Sequence, residues 1–211
     1  NDYDAFVRIF NADGSARSGQ ITVHDPALSG QNNTAISSLS DGNFIVSWTN
    51  TVDHGVWGPN NTEISARIFN PEGQAITDVI TVNQHLTGFQ DQTDVTSLAN
   101  GNFIITWQSQ DPNVDGDNYG VSARIYDAAG TPLSNEFTLN TTNISGAQQT
   151  PEITSLTTGG FVAVFSSTDG LFARVFDANG QALTDEFKVD SRNSYFNSPN
   201  VVGLEDGGFA V

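Results

Sequence analysis

The sequence has no cysteine, which excludes a disulfide framework, a thiolate metal site and a cysteine nucleophile. Basic residues are scarce: 7 Lys and Arg stand against 24 Asp and Glu, a net charge of −17. A chain so acidic repels nucleic acid and anionic membranes and favours cations or uncharged ligands. No apolar run approaches the length of a membrane span, so membrane insertion has no candidate segment. The three histidines, His24, His54 and His85, lack metal-ligand spacing, and neither a Gly-x-Ser-x-Gly elbow nor a phosphate loop occurs. What is present is apolar: 37% hydrophobic residues with 14 Phe in 211 residues, enough for a real core.

Four related segments run through the chain. One motif reads "AFVRIFNADG", "SARIFNPEG", "SARIYDAAG" and "FARVFDANG", with Arg8, Arg67, Arg124 and Arg174 in register. A second reads "ISSLSDGNFIVSW", "VTSLANGNFIITW", "ITSLTTGGFVAVF" and "VVGLEDGGFAV". Short alternating runs, "ITVHD", "ITVNQ", "FTLNT" and "FKVDS", lie between them. β-Branched and aromatic stretches bounded by Asp, Asn and Gly read as strands, and no segment keeps a 3.6-residue apolar period. "NADG", "DAAG" and "DANG" place Gly where a turn needs positive φ, and "SDGN" and "ANGN" read as tight hairpins. The count is four strands per repeat, about sixteen in all.

From the repeated Arg to the aromatic closing the second motif the distance is 40 residues (Arg8 to Trp48), 40 (Arg67 to Trp107) and 41 (Arg124 to Phe165). From that aromatic to the next Arg it is 19, 17 and 9. Length variation is therefore concentrated in one connection, and variable loops on a rigid scaffold are where recognition is usually placed.

Repeats of about 50 residues with four short strands predict an all-β fold, a β-propeller of four-stranded blades. A sheet buried on both faces explains why "FIVSW" and "FIITW" are continuously apolar. A β-sandwich competes but does not require such regular repeats. Residues 1–211 read as one propeller-type domain with repeats at approximately 1–50, 51–109, 110–167 and 168–211. The chain opens at Asn1 in strand-like sequence and stops inside a strand motif. Two readings follow: a closed four-bladed ring, or a piece of a longer array. The second is favoured, because a terminus in mid-strand leaves a hydrogen-bonding edge unused.

"ARVFDANGQALTDEFKVD" and "PEITSLTTGGFVAVF" carry a resemblance. The unit resembles propeller-like repeats of very large secreted bacterial RTX and adhesin-type surface proteins, and the resemblance covers essentially the whole chain. It implies extracellular or cell-surface placement, a binding or structural role, and other domains of the same large polypeptide as partners. It supplies no catalytic residues.

Two loop sites are candidates. "DPNVDGDNYG" places Asp111, Asn113, Asp115 and Gly116 at positions one, three, five and six of a calcium loop, with the Asp117 carbonyl at seven. Position twelve is Ser122 where a helical calcium hand has Glu, so the ligand set is incomplete without a neighbour or water. The pattern is not repeated in the sister loops, so calcium would stiffen one loop only. Trp57, with Asp53, His54, Asn60 and Asn61 around it, offers a face for a sugar ring beside polar groups, and Tyr119 adds a second aromatic. The repeated Arg reads as structural, its stem packed on aromatics and its guanidinium paired with a carboxylate such as Glu136 or Glu186. The Gln-rich "GQNNT" and "GAQQTP" loops are expected to satisfy backbone groups between blades.

The function expected from this is a non-catalytic extracellular binding or structural module that recognises a glycan or cell-surface protein through its variable loops, with calcium as candidate cofactor. The alternatives are a propeller-type glycan-processing enzyme, hydrolase or lyase, and a purely structural spacer. Carboxylates are numerous enough to contain an acid/base pair, although no spacing picks one out.

Overall fold

The structure is a computed structural model that describes residues 4–24, 30–52, 61–114, 116, 118–141, 145–190 and 198–211. Among these, sixteen strands and no helix are found. β1 (Phe6–Val7) and β2 (Ile21–Thr22) form a two-stranded sheet. The first complete blade is β3 (Gln31–Ser38), β4 (Phe44–Val52), β5 (Asn61–Phe69) and β6 (Ile80–Thr81). The second is β7 (Gln90–Ser97), β8 (Phe103–Ser109), β9 (Gly120–Tyr126) and β10 (Phe137–Thr138). The third is β11 (Gln149–Ser155), β12 (Phe161–Ser167), β13 (Gly170–Phe176) and β14 (Phe187–Lys188). β15 (Val202–Gly203) and β16 (Phe209–Ala210) make a second two-stranded sheet. Every blade is an antiparallel meander with its strands in chain order. A blade thus joins the second half of one sequence repeat to the first half of the next.

The turns follow from local chemistry. Gly14, Gly73, Gly130 and Gly180 all have φ between 83° and 85°, and each N–H returns to the carbonyl of the Asn or Asp three residues before it. A Cβ at that φ is strained, which is why the motif closes on Gly. The hairpins at Gly42 and Gly101 also close on a positive-φ Gly, with φ of 88° and 90°, their N–H groups returning to the Leu39 and Leu98 carbonyls.

The second strands β4, β8 and β12 lie between neighbouring blades, and β8 and β12 are buried along their whole length. Trp107, Phe103, Ile105 and Tyr126 join Ile64, Ile68 and Val82 in the layer between the first two blades. Ile104, Val121 and Ile125 join Phe161, Phe165 and Phe176 between the second and third. Each such side chain contributes roughly 1.5–3 kcal/mol on burial. The stack Phe44–Phe69, Phe103–Tyr126, Phe161–Phe176 repeats with ring centroids 5.4, 5.3 and 4.9 Å apart.

The repeated arginines are structural, with different partners from those expected. Arg8, Arg67, Arg124 and Arg174 lie over the aromatic two residues on, 5.4–5.9 Å from its centroid. Each Nε donates to the carbonyl ten residues ahead. Arg124 and Arg174 also reach the preceding blade, donating to the Val82 and Leu139 carbonyls at 3.0 and 2.9 Å. Val82 and Leu139 directly follow the short outer strands β6 and β10, and Arg174 also donates to the Thr141 hydroxyl at 3.0 Å. Glu136 and Glu186 instead accept N–H groups of the preceding blade's connection, at Gln84 and His85 and at Thr141. In the same connections Asn83 and Asn140 accept the N–H of Ile64 and Val121, at 2.8 and 2.7 Å. The Gln side chains close their own loops: Gln90 donates to Thr87 O and Gln148 to Gly146 O, both at 3.0 Å.

The end sheets cover the two ends of the array. Ala5 and Val23 pack on Val46, Trp48 and Phe69 of the first blade, and Val201 and Phe209 pack on Leu156 and Val164 of the third. Among the described residues no ladder pairing joins β16 to β1.

Candidate active site

The first strands β3, β7 and β11 pack against one another in sequence and line the axis of the array. All three carry the same irregularity. In β3 the register steps from Asn32↔Thr49 to Ala35↔Ser47, in β7 from Asp91↔Gln108 to Asp94↔Thr106, and in β11 from Gln149↔Ser166 to Glu152↔Val164. Between these pairs two residues on the first strand oppose one on its partner, which is a β-bulge. The extra residue has positive φ in every case, at Asn33 (46°), Gln92 (54°) and Thr150 (48°), and Ser198 (73°) stands at the matching place before β15. Non-glycine residues rarely adopt this region, and here it recurs at the bulge of each first strand around one axis.

The bulge is latched from the preceding blade. Thr49 of β4 donates to the Asp91 carboxylate at 3.0 Å, and Asn33 donates to the same oxygen. Gln108, the equivalent of Thr49, accepts the Thr150 N–H at 3.2 Å. Thr93 bonds Ser47 at 3.1 Å. Asp91 also accepts its neighbour's Gln92 N–H at 2.7 Å.

Just past each bulge, the equivalent positions read Ala35, Asp94, Glu152 and Asn200. Two neighbouring first strands therefore present carboxyl groups side by side. Asp94 Oδ2 accepts the Ile153 N–H across the blade boundary at 2.9 Å, and Oδ1 accepts the Val95 N–H at 2.8 Å. Burial raises the Asp94 carboxyl above its ordinary range, opposed by those two donors. Glu152 is half-buried and has no hydrogen-bond donor on its carboxyl among the described residues. Burial first, and then the charge of Asp94, push it up to about 7. One acid is fixed by backbone donors and its neighbour is left free to hold a proton at neutral pH. Such a separation of environments is what general acid/base work requires.

Tyr119 stands at the head of β9, where its carbonyl accepts the Gln148 N–H that leads into β11, at 2.7 Å. Its hydroxyl is raised by burial and by the charge of Asp91. This loop residue is thereby within electrostatic reach of Asp91. Trp57, Asp53 and Asn60 lie outside the described residues, as do Asp115 and Asp117.

Of the candidate calcium ligands, Asp111 and Asn113 are described. Asp111 is buried, its Oδ1 accepting both the backbone N–H and the side-chain amide of Asn113 at 2.7 Å. Its other oxygen lies 3.7 Å from His85 Nδ1. The two side chains close an Asx turn. Among the described residues no group of three or more His, Asp or Glu is arranged to hold a metal.

Asp94 and Glu152 were not singled out by the sequence reading. The signal was nonetheless there: after alignment of the repeats, one position changes from Ala to Asp to Glu to Asn immediately before an invariably β-branched residue, Ile36, Val95, Ile153 or Val201.

Sheet order, blade repetition and axial bulges together define a β-propeller. No protein-family model and no curated protein matches the chain. Solved structures do. The α-L-arabinofuranosidase of Fusarium graminearum is similar with a TM-score of 0.56 at 13% identity, over 80% of this chain and 48% of that one. For the endo-arabinase of Bacteroides thetaiotaomicron VPI-5482 the values are 0.55, 14%, 90% and 73%. For the periplasmic gluconolactonase of Pseudomonas aeruginosa they are 0.54, 14%, 96% and 55%. The chain spans about half the length of the arabinofuranosidase and of the gluconolactonase. The likeness establishes the propeller fold.

It also corrects the expected function. A non-catalytic binding or structural module without enzymatic activity was anticipated because no nucleophile motif or histidine cluster is present. The three propellers just named are enzymes named for sugar substrates.

Proposed function

We propose that the chain is the propeller portion of a glycan-processing enzyme in which Glu152 is the proton donor and Asp94 its charged neighbour. The observation that carries this is the Asp94–Glu152 pair on adjacent first strands, set just beyond two bulges with one carboxyl anchored and the other free. A glycosidic bond breaks when a proton reaches the departing oxygen as charge builds on the sugar, and a carboxyl near pH 7 supplies that proton at little cost. Asp91, Asn33 and Tyr119, one step toward the variable loops, supply the hydrogen-bonding and aromatic groups that hold a sugar ring. A secreted or cell-surface setting, as the resemblance of the repeats implies, suits an enzyme whose substrate is an extracellular polymer.

The test is turnover of a polysaccharide panel by the wild type and by Glu152→Gln, with product analysis by chromatography. The expected result is product from at least one glycan and loss of about a thousandfold in rate in the variant. Equal turnover by the two proteins, or none by folded wild type, overturns the reading.

A further inference from the structure

The position of every described cation limits what the axis can accept. Arg67, Arg124 and Arg174 sit on the third strands with their nitrogens on main-chain carbonyls, and Arg8 repeats the arrangement beside β1. Arg17 is paired with Glu72 at 3.1 Å on the rim, and Lys188 lies over Phe172 on the outermost strand of its blade. Of the described histidines, His24 faces Asp4 and His85 faces Asp111. The first strands offer only amides, hydroxyls and carboxylates: Asn33, Gln92, Thr150, Asp91, Asp94 and Glu152. A second observation points the same way. Thr106 is fully buried and stands opposite Asp94 in the ladder, and its hydroxyl has no hydrogen-bond partner. It is a neutral polar group on the face of the sheet that Asp94 occupies, one that a buried water would satisfy.

A uronate chain carries one carboxylate per sugar, and here each would lie against carboxylates in a chain of net charge −17. Elimination makes the demand sharper. A base must remove the proton next to the uronate carboxylate, and the electron pair left behind is stabilised most strongly when positive groups face that carboxylate. The described first strands supply none. Hydrolysis asks for nothing of the kind. Glu152 gives its proton to the leaving oxygen as the bond from that oxygen to the anomeric carbon breaks. Water forms the new bond to that carbon, and the proton it sheds passes to a carboxylate.

We infer that the substrate is an uncharged glycan and that it is cut by hydrolysis, not by elimination; this rests on the glycan-processing reading above. The probes are neutral arabinan, xylan, mannan and β-glucan set against polygalacturonate and alginate, each with calcium and with chelator. New reducing ends report hydrolysis, and ultraviolet absorbance of an unsaturated uronate reports elimination. The expected outcome is reducing ends from a neutral glycan, cut about a thousandfold in Glu152→Gln, with kcat/KM at least about a hundredfold above that for either polyuronate, since like-charge juxtaposition costs several kcal/mol. Unsaturated product from a polyuronate, lost in Glu152→Gln, overturns this inference and leaves the glycan-processing reading standing. Comparable rates on neutral and acidic polymers also overturn it. No turnover of either class by folded protein removes both.

Discussion

The third and the first strands of the blades answer to different demands. On the third strands Arg67, Arg124 and Arg174 each lie over the next aromatic and donate to a carbonyl ten residues on. On the first strands Ala35, Asp94 and Glu152 share a position past the same bulge, yet no two have the same side chain. Where a residue recurs in every blade, the blade itself needs it. Where the backbone recurs and the chemistry does not, the fold has stopped dictating the side chain, and selection for a task has room to act. The first strands hold the unusual φ values, the raised carboxyls and the contacts across blades, all within a few residues of one another.

That contrast can be broken from either side. The largest effect on stability is expected at the third strand. Arg124→Gln removes the side-chain donor to the Ser134 carbonyl and one of the two donors to the Val82 carbonyl, which keeps the Tyr126 hydroxyl, and should cost about 2 kcal/mol in denaturant unfolding, with glycan turnover unchanged. A comparable loss of turnover at full stability would mean that the third strand is more than framework.

A smaller effect separates the acids by pH. The Glu152 carboxyl is raised from its ordinary 4.5 to about 7 in the folded chain, so the folded state holds the proton more tightly than the unfolded one. Its favourable contribution is complete below about 4.5 and is lost as pH rises through about 7. With the carboxyl half exposed, the loss should be on the order of 1 kcal/mol. Glu152→Gln should remove that slope, so that the variant is the more stable protein at pH 8. An unchanged slope in chemical denaturation would place the titration elsewhere.

The smallest effect should come from Asn33→Gly. Glycine accepts the φ of 46° without strain, and only the amide on Asp91 is removed. Stability should move by no more than about 0.5 kcal/mol, and kcat/KM should fall by about tenfold through KM, as expected of a residue that positions the substrate's neighbour.

Much of the scaffold was legible in the sequence. The sixteen strands follow from short-range rules: β-branched runs, a Gly three residues after Asn or Asp, and apolar stretches such as "FIITW" buried on both faces. Blade phase was not legible, because a repeat can be cut anywhere and only the ladders show that Phe103 pairs with Tyr126 of the following motif. The partner of the repeated Arg was misjudged for a related reason. Glu136 is near in sequence, but the strand ends supply unpaired carbonyls that a guanidinium meets with its stem already packed. The site was least legible. Attention goes to loops that vary in length, and Tyr119 from one of them does stand near Asp91. Asp94 and Glu152, however, lie inside strands of constant length, where one acidic residue looks like surface variation until the bulges and the blade contacts set the two together.

The central claim is that Glu152 delivers the proton, and the pH dependence of kcat/KM on a neutral glycan tests it most directly. A general acid acts only while protonated, so the wild-type rate should hold below pH 7 and fall as pH rises through about 7. In the residual activity of Glu152→Gln that alkaline limb should vanish. An alkaline limb of the same midpoint in the variant would contradict the account.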